Sequence, residues 1–267
     1  MKILIIGFGN MGRTYARGFL ASRFINPHDL YILDKVSQHT EARSIQVPED
    51  QIHYAPSDFV SLADIIILAV KPQDFPALAE SVRPFIRAHQ VILSVMAGVR
   101  IATIASSLGA GRIVRSMPNL PAQVGMGMTV FTATPQMDMK ELFIVQNLIN
   151  TTGKSLHVEH EEMLDAATAV SGSGPAYVFY FMQSMIQTAV RMGFKESEAE
   201  LLVQQTFLGA VHLQSKGEST CAEWIQKVAS RGGTTEAALR VFDSARTSDG
   251  VHDALYAALN RAKELGK

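Results

Sequence analysis

The residues with the most informative spacing are three glycines near the start of the chain, Gly7, Gly9 and Gly12. They follow the apolar run 3–6, which is typical of a strand buried on both faces of a parallel sheet. In such a turn the first glycine permits a tight bend, the second lets the backbone approach a pyrophosphate, and the third lets the helix pack closely on the strand. Free amides and the helix dipole attract the phosphates. The pattern predicts a dinucleotide site whose contacts include Gly7, Gly9, Asn10, Met11 and Gly12.

Asp34 ends the second predicted strand, roughly 20 residues after Gly12. An acid at this place accepts hydrogen bonds from the adenosine ribose, favours NAD and repels a 2′-phosphate. Lys35 beside it could do the reverse, and a strand-end aspartate can also simply begin a turn. We therefore expect Asp34 and Lys35 in the cofactor site, with NADH and NADPH both left open.

Two further segments, 69–72 and 97–98, lie at the carboxyl ends of predicted parallel strands, where ligands bind in open α/β sheets. Lys71 is also a candidate catalytic residue, and the alternative for it is a solvated surface lysine. The alternative for Gly98, in the second segment, is a simple turn. Both segments are predicted to contact the cofactor, through Ala69, Val70, Lys71 and Pro72 in the first and Ala97 and Gly98 in the second.

Two segments rich in glycine and hydroxyl residues separate predicted helices in the second half of the chain. Glycine amides that precede a helix can form an anion nest, and hydroxyl groups add donors. Either segment alone could be an ordinary helix connection, but the pair favours a site for a small carboxylate or phosphate. The candidate substrate-binding residues are Ser171, Ser173, Pro175, Ser230, Gly232, Gly233, Thr234 and Thr235.

The elements that must position these residues change in type near His157. Before it, strand-like and helical runs alternate, which predicts an open parallel sheet with right-handed crossovers. The sequence therefore predicts an α/β chain, with a Rossmann-type doubly wound parallel sheet in residues 1–158 and an all-helical domain in residues 159–267, to which the resemblance described below assigns dimerisation. The predicted strands are 3–6, 30–33, 65–70, 91–95, 113–114, 129–131 and one near Leu156. The predicted helices are 13–20, 75–86, 101–108, 137–149, 164–170, 176–192, 196–215, 221–228, 235–244 and 249–265.

The composition excludes several classes of protein. The chain has 267 residues and one cysteine, so neither a disulfide scaffold nor a cysteine-ligated zinc site can form within it. With 24 basic and 25 acidic residues, it has almost no net charge to attract nucleic acid or an anionic membrane. The apolar run 65–70 is far shorter than the roughly 20 residues of a membrane helix. We expect a cytoplasmic protein that binds no metal, nucleic acid or membrane.

Five segments spread over nearly the whole chain, 7–12, 69–73, 117–121, 168–177 and 232–235, resemble the pyrroline-5-carboxylate reductase family. The Ser-Gly-Ser-Gly-Pro-Ala-Tyr and Gly-Gly-Thr-Thr segments are the specific ones, since many dehydrogenases share the glycine turn. The resemblance implies reduction of 1-pyrroline-5-carboxylate to L-proline by NADPH or NADH, the last step of proline biosynthesis. It also implies a homodimer formed by the helical domains, with higher assemblies in some members, and it adds Asn119 as a substrate-binding residue.

A protonated cyclic imine accepts hydride directly, so the protein need not supply a nucleophile. Its contribution to the rate would be to hold the imine close to the cofactor in the correct orientation. The predicted nest of Gly232, Gly233 and Thr234 would hold the substrate carboxylate. By resemblance, the Thr235 hydroxyl would hydrogen-bond the ring nitrogen, a role compatible with its alternative as a helix cap. Thr235 and Lys71 are thus the candidate catalytic residues.

Two positions depart from the family pattern, with Leu120 where threonine is usual and Arg231 where proline is usual. They leave two alternative functions open. One is a reductase for a different cyclic imino acid, and the other is a non-catalytic regulatory paralogue that binds NAD(P). A 3-hydroxyacid dehydrogenase has a similar domain order, but it needs a lysine and an asparagine on the helix after the serine–glycine segment. Residues 176–192 contain neither.

Overall fold

One sheet of eight strands organises the first part of the chain in the computed structural model, which describes residues 1–35 and 45–266. The strand order is β3-β2-β1-β4-β5-β6-β7-β8. The strands are β1 Ile3–Ile6, β2 Leu30–Leu33, β3 Ile52–His53, β4 Ile65–Leu68, β5 Val91–Ser94, β6 Ile113–Met117, β7 Gly127–Ala133 and β8 Gly153–His157. All residues of β1, β2 and β4 are buried, as expected for strands covered on both faces.

The sheet is parallel, as predicted, except at one pair that the prediction did not include. β7 runs antiparallel to β6. Parallel neighbours need a crossover of a dozen or more residues, usually an α-helix, and only the short 3-10 helix Leu120–Val124 lies between these strands. β3, which was not predicted, has only two residues and therefore leaves no readable alternation.

Helices cover both faces of the sheet. They are α1 Asn10–Ala21, α2 Phe75–Val82, α3 Ile101–Leu108, α4 Met139–Asn150 and α5 Met163–Ala167. Ile3 and Ile5 of β1 face a core that contains Tyr15 and Phe19 of α1. The alternate residues of β1 face a second core, which contains side chains of α2 and α3. This two-sided burial of β1 confirms the predicted doubly wound architecture.

A second compact unit spans Gly174–Ala257. The helices after α5 are α6 Gly174–Arg191, α7 Glu196–Lys216, α8 Cys221–Val228, α9 Thr234–Ser244 and α10 Thr247–Leu265. No strand follows β8 in the described residues, which confirms the predicted change to helices. The predicted domain boundary lies at residue 158, whereas the first compact unit continues to Ser173 and includes the chain again from Ala258. Leu164 and Ala167 of α5 explain the continuation, since they pack against Val130 of β7.

A buried ion-pair cluster joins β6 to α5 and to the end of the chain within the first unit. Arg115 of β6 lies 2.9 Å from Glu161 and 3.5 Å from Asp165, measured between guanidinium nitrogens and carboxylate oxygens. Arg100 also pairs with Asp165, at 3.4 Å, and its Nε donates to the carbonyl oxygen of Gly266. The side chains of Arg115 and Asp165 are only 4% and 3% exposed. Charges so deeply buried must be paired.

We expect Arg115→Ala to lower the free energy of unfolding by about 3 kcal/mol, because it removes the positive charge that pairs with the buried carboxylates. Arg261→Ala is the matched control, since Arg261 pairs with Glu264 at an exposed site and should change stability by less than about 1 kcal/mol. Urea unfolding followed by circular dichroism measures both. Equal losses in the two variants would contradict the assigned role of the cluster.

Candidate functional site

The turn between β1 and α1 has room for backbone but not for side chains at two of its three glycines. Gly7 has a φ of +94°, and a Cβ there would lie 2.7 Å from the carbonyl oxygen of Ala69. A Cβ on Gly12 would overlap the carbonyl oxygen of Gly7. Gly9 differs, since no atom lies within 4 Å of the position of its Cβ. Gly9 therefore borders open space at the N-terminus of α1, where a phosphate can approach the backbone.

An open cleft of about 560 Å³ lies beside this turn at the carboxyl ends of β1, β2 and β4. Tyr54 and Asp74 also line the cleft but were not predicted from the sequence. Tyr54 follows the unpredicted β3, and Asp74 lies directly before α2. Asn10, Met11 and Gly12 belong to the adjoining α1, and Pro72 follows Lys71 in a 3-10 helix. The predicted cofactor residues that line the cleft are Gly7, Gly9, Asp34, Lys35, Ala69, Val70 and Lys71.

Asp34 is held against the glycine turn. Its Oδ2 accepts a hydrogen bond from the amide of Phe8 at 2.5 Å. The amide of Gly7 donates to the carbonyl oxygen of Leu33 at 2.9 Å, so the end of β2 is tied to the turn by two neighbouring bonds. This pairing places a carboxylate in the wall of the cleft.

The last predicted cofactor segment, Ala97 and Gly98, has a packing role in this structure. Gly98 has a φ of +77°, and a Cβ there would lie 2.7 Å from the carbonyl oxygen of Leu265. Glycine is thus required at this position by the close approach of the final turn of α10. Lys71, by contrast, is exposed at the mouth of the cleft.

The two predicted substrate segments of the first unit meet through Asn119. Its Nδ2 donates to the carbonyl oxygen of Ser171 at 3.1 Å, and its Oδ1 accepts from the amide of Met128 at 2.8 Å. The segment that contains Ser171 was predicted to separate two helices, and the structure corrects this. Thr168–Gly172 forms a π-helical turn that closes with the amide of Ser173 donating to the carbonyl oxygen of Thr168. Such turns are frequent at functional sites.

The glycine–threonine segment lies in the second unit, at the start of α9. Gly233 is the N-cap residue and Thr235 is the second residue of the helix, so Thr235 is not the cap. The amide of Gly232 donates to Oε2 of Glu236 at 2.6 Å, and the amide of Gly233 donates to the carbonyl oxygen of Ser230. The Glu236 carboxylate thus accepts a hydrogen bond from one amide of the predicted anion nest, a contact that was not predicted from the sequence. Pro175 lies elsewhere in the unit, in the first turn of α6.

Two titratable side chains of the first unit have shifted pKa values. Burial raises the pKa of Tyr15 to about 12, which keeps this phenol neutral in the core between α1 and the sheet. Burial also lowers the pKa of His53, and the negative charge of Asp50 partly offsets this shift by raising the pKa. The ring of His53 stacks on Phe59 with centroids 3.7 Å apart. These environments assign both groups to packing.

In the described ranges, no helix is both long and apolar enough to cross a membrane. The sheet order, the glycine turn and the cleft together define a Rossmann-type dinucleotide-binding protein. Residues 2–98 match the family described as NADP oxidoreductase, coenzyme F420-dependent. Residues 161–265 match the family described as pyrroline-5-carboxylate reductase dimerisation.

Full-length comparisons define the family. A pyrroline-5-carboxylate reductase of Pseudomonas aeruginosa is 33% identical over 100% of this chain and 97% of the relative. The structure of a pyrroline-5-carboxylate reductase from Coxiella burnetii matches with a TM-score of 0.89 and 32% identity, covering 100% of this chain and 98% of the other. That of a Plasmodium falciparum pyrroline carboxylate reductase with NADP bound matches with a TM-score of 0.88 and 26% identity over the same shares. This chain belongs to the pyrroline-5-carboxylate reductase family.

The geometry of the turn predicts different outcomes for two glycine variants. Gly9→Ala should change stability by at most about 1 kcal/mol, yet weaken NADH binding at least about tenfold, because its methyl group enters only the space left for phosphate. Gly12→Ala should instead destabilise the fold, because its Cβ would overlap a carbonyl oxygen. Gly111→Ala, at a remote open position, is the control. Calorimetry and thermal unfolding measure both quantities, and unchanged binding by Gly9→Ala would refute the assignment.

Proposed function

We propose that this chain reduces 1-pyrroline-5-carboxylate to L-proline with NADH or NADPH, as its family membership implies. The observation that carries the proposal is the cleft beside the glycine turn, in a chain related to these reductases over its full length. The lone cysteine and the biosynthetic reaction support a cytoplasmic location.

The residues of the cleft fit a reduced dinucleotide. The open side of Gly9 and the amides at the start of α1 suit a pyrophosphate, and the carboxylate of Asp34 suits the hydroxyls of a ribose. Lys71 lies exposed at the same edge and can pair with a phosphate or an incoming carboxylate. When bound, the reduced nicotinamide supplies the hydride for the C=N carbon of the imine.

The segment at the start of α9 supplies donors for the substrate. The first amides of an α-helix have no acceptor within the helix, and those of Thr234 and Thr235 are among them. Their hydroxyls add two more donors. The amides of Gly232 and Gly233 already donate within the segment, to Glu236 and to the carbonyl oxygen of Ser230, so the amides and hydroxyls of Thr234 and Thr235 are the donors assigned to the substrate. In this scheme the segment holds the substrate carboxylate, while the Thr235 hydroxyl hydrogen-bonds the ring nitrogen as the amine forms.

Orientation is the main contribution of these residues to the rate. Correct placement of two reactants can lower a barrier by roughly 7–11 kcal/mol in favourable systems. A protonated imine is already electrophilic, so hydrogen bonds that fix its carboxylate and its nitrogen suffice. Asn119 supports the same task, because it holds the π-helical turn that carries Ser171 and Ser173.

Steady-state reduction of 1-pyrroline-5-carboxylate by the purified protein tests the proposal. We expect turnover with this imine, and a loss of roughly 10²-fold or more in kcat/KM for Thr235→Ala, with recovery in Thr235→Ser. Gly233 rather than Thr235 is the N-cap, so stability should fall by less than about 1 kcal/mol. Unchanged kinetics in Thr235→Ala would refute the role of its hydroxyl.

The same assay separates the remaining alternatives. Turnover only with the six-membered homologue would identify a reductase for a different imino acid. Dinucleotide binding without turnover of either imine would identify a non-catalytic relative.

The second unit supports a homodimer as part of this proposal. Its helices carry many exposed apolar side chains, among them Phe179, Tyr180, Leu201, Leu208 and Val211. An apolar surface of this kind is typical of an obligate interface. Sedimentation should give a mass of at least two chains of 29.1 kDa, and a single-chain mass at assay concentration would contradict the dimer.

A further inference from the structure

We infer that Glu236 is a positioning residue for the proposed substrate site, because its carboxylate fixes the turn 230–233 that leads into α9. The inference rests on the proposed function for the identity of the ligand. Its structural part, that Glu236 holds the turn, can be tested without any ligand.

Residues 230–233 form a type II β-turn. The amide of Gly233 donates to the carbonyl oxygen of Ser230 at 3.0 Å, which closes a turn of four residues. Gly232, the third of them, has a φ of +73°, whereas the φ of Arg231 before it is not positive. A positive φ at the third position alone defines a type II turn, and glycine adopts this conformation without steric cost.

The second position of this turn lacks the residue that would make it rigid. Proline is favoured there, because its ring fixes φ at about −65°. This chain has Arg231 instead, one of its two departures from the family pattern. Arginine leaves the backbone free to rotate at this position. The turn therefore needs another constraint if the groups that follow it are to keep their directions.

Glu236 supplies this constraint from the first turn of α9. Its Oε2 accepts the hydrogen bond from the amide of Gly232 at 2.6 Å. Such a bond to a carboxylate is about twice as strong as one between neutral groups. Its Oε1 lies 3.0 Å from a guanidinium nitrogen of Arg240, one helical turn further along. The ion pair offsets the charge of Glu236, which would otherwise repel a substrate carboxylate at the same helix end.

The turn determines where the proposed donors lie relative to one another. A Cβ on Gly233 would lie 2.5 Å from Oγ of Ser230, so the serine hydroxyl lies directly against the start of α9. Thr234 and Thr235 follow Gly233, and their amides have no acceptor within the helix. Any rotation of the turn moves Ser230 relative to both threonines. Glu236 therefore acts through the geometry of these donors and makes no contact with the substrate itself.

The kinetics of Glu236 variants test the inference. Glu236→Ala should raise KM for 1-pyrroline-5-carboxylate at least about fivefold and change kcat by less than about twofold, because the substrate carboxylate is held alike in the ground state and the transition state. Glu236→Gln should keep KM within about twofold of the wild-type value, because its amide oxygen still accepts from Gly232. Glu200→Ala removes an exposed carboxylate of α7 and should leave KM unchanged.

A second substitution tests the reason for the effect. Arg231→Pro supplies the constraint that the turn lacks, and it removes an amide that donates no hydrogen bond in the part of the chain that the structure describes. In the Arg231→Pro background, Glu236→Ala should raise KM by less than about twofold. Two independent sites would instead give the same increase in both backgrounds.

Hydrogen exchange tests the structural part without substrate. The Gly233 amide closes the turn, so its exchange rate reports how often the turn opens. Millisecond exchange followed by mass spectrometry should find this amide at least about fivefold faster in Glu236→Ala than in the wild type. The rate should return toward the wild-type value when Arg231→Pro is added.

Two results would overturn the inference. One is a Glu236→Ala variant with the wild-type KM or the wild-type exchange rate at Gly233, and the other is an equal effect of Glu236→Ala with and without Arg231→Pro. Glu236→Leu makes the same test if the alanine variant does not fold. Failure of the proposed function would look different, because neither the wild type nor any variant would reduce the imine while exchange at Gly233 still responded to both substitutions.

Discussion

At Gly7 and Gly12 the turn from β1 to α1 has space for backbone alone, and the rest of the cofactor site depends on this constraint. A side chain on Gly12 would overlap the turn itself, and one on Gly7 would strike the strand end at Ala69. The close packing brings the carboxyl ends of β1, β2 and β4 to one edge, where Asp34 reaches the amide of Phe8. The order of the buried parallel strands thereby determines which residues line the cleft.

The groups proposed for the substrate are mainly hydrogen-bond donors, which suits a reaction whose hydride comes from the cofactor. Orientation then depends on how rigidly these groups are held. In the first unit the Arg115 cluster anchors α5, which leads directly into the π-helical turn, and Asn119 ties that turn to β7. In the second unit, Glu236 holds the amide of Gly232 at the start of α9.

The sequence predicted the buried strands well, because runs of about four apolar residues between turn signals have the length of a buried strand and are too short for a helix. It did not predict β3, which has two residues, or the reversal of β7, which depends on the short connection after Asn119. The π-helical turn was also missed, since its first three residues read as the end of a helix and Ser171 and Gly172 read as a loop when glycine and serine are taken as breakers. Gly98 needs its conformation because of Leu265, a contact between distant parts of the chain that no local pattern contains.

Deuterium tracing tests the central claim most directly, which is that the dinucleotide held at the glycine turn donates hydride to an imine carbon. The protein is incubated with 1-pyrroline-5-carboxylate and a reduced dinucleotide that carries deuterium on both C4 positions of the nicotinamide. Mass spectrometry should find proline with one deuterium, on the ring carbon that formed the C=N bond. Oxidation of the dinucleotide without deuterium in proline, or no proline at all, would contradict the account.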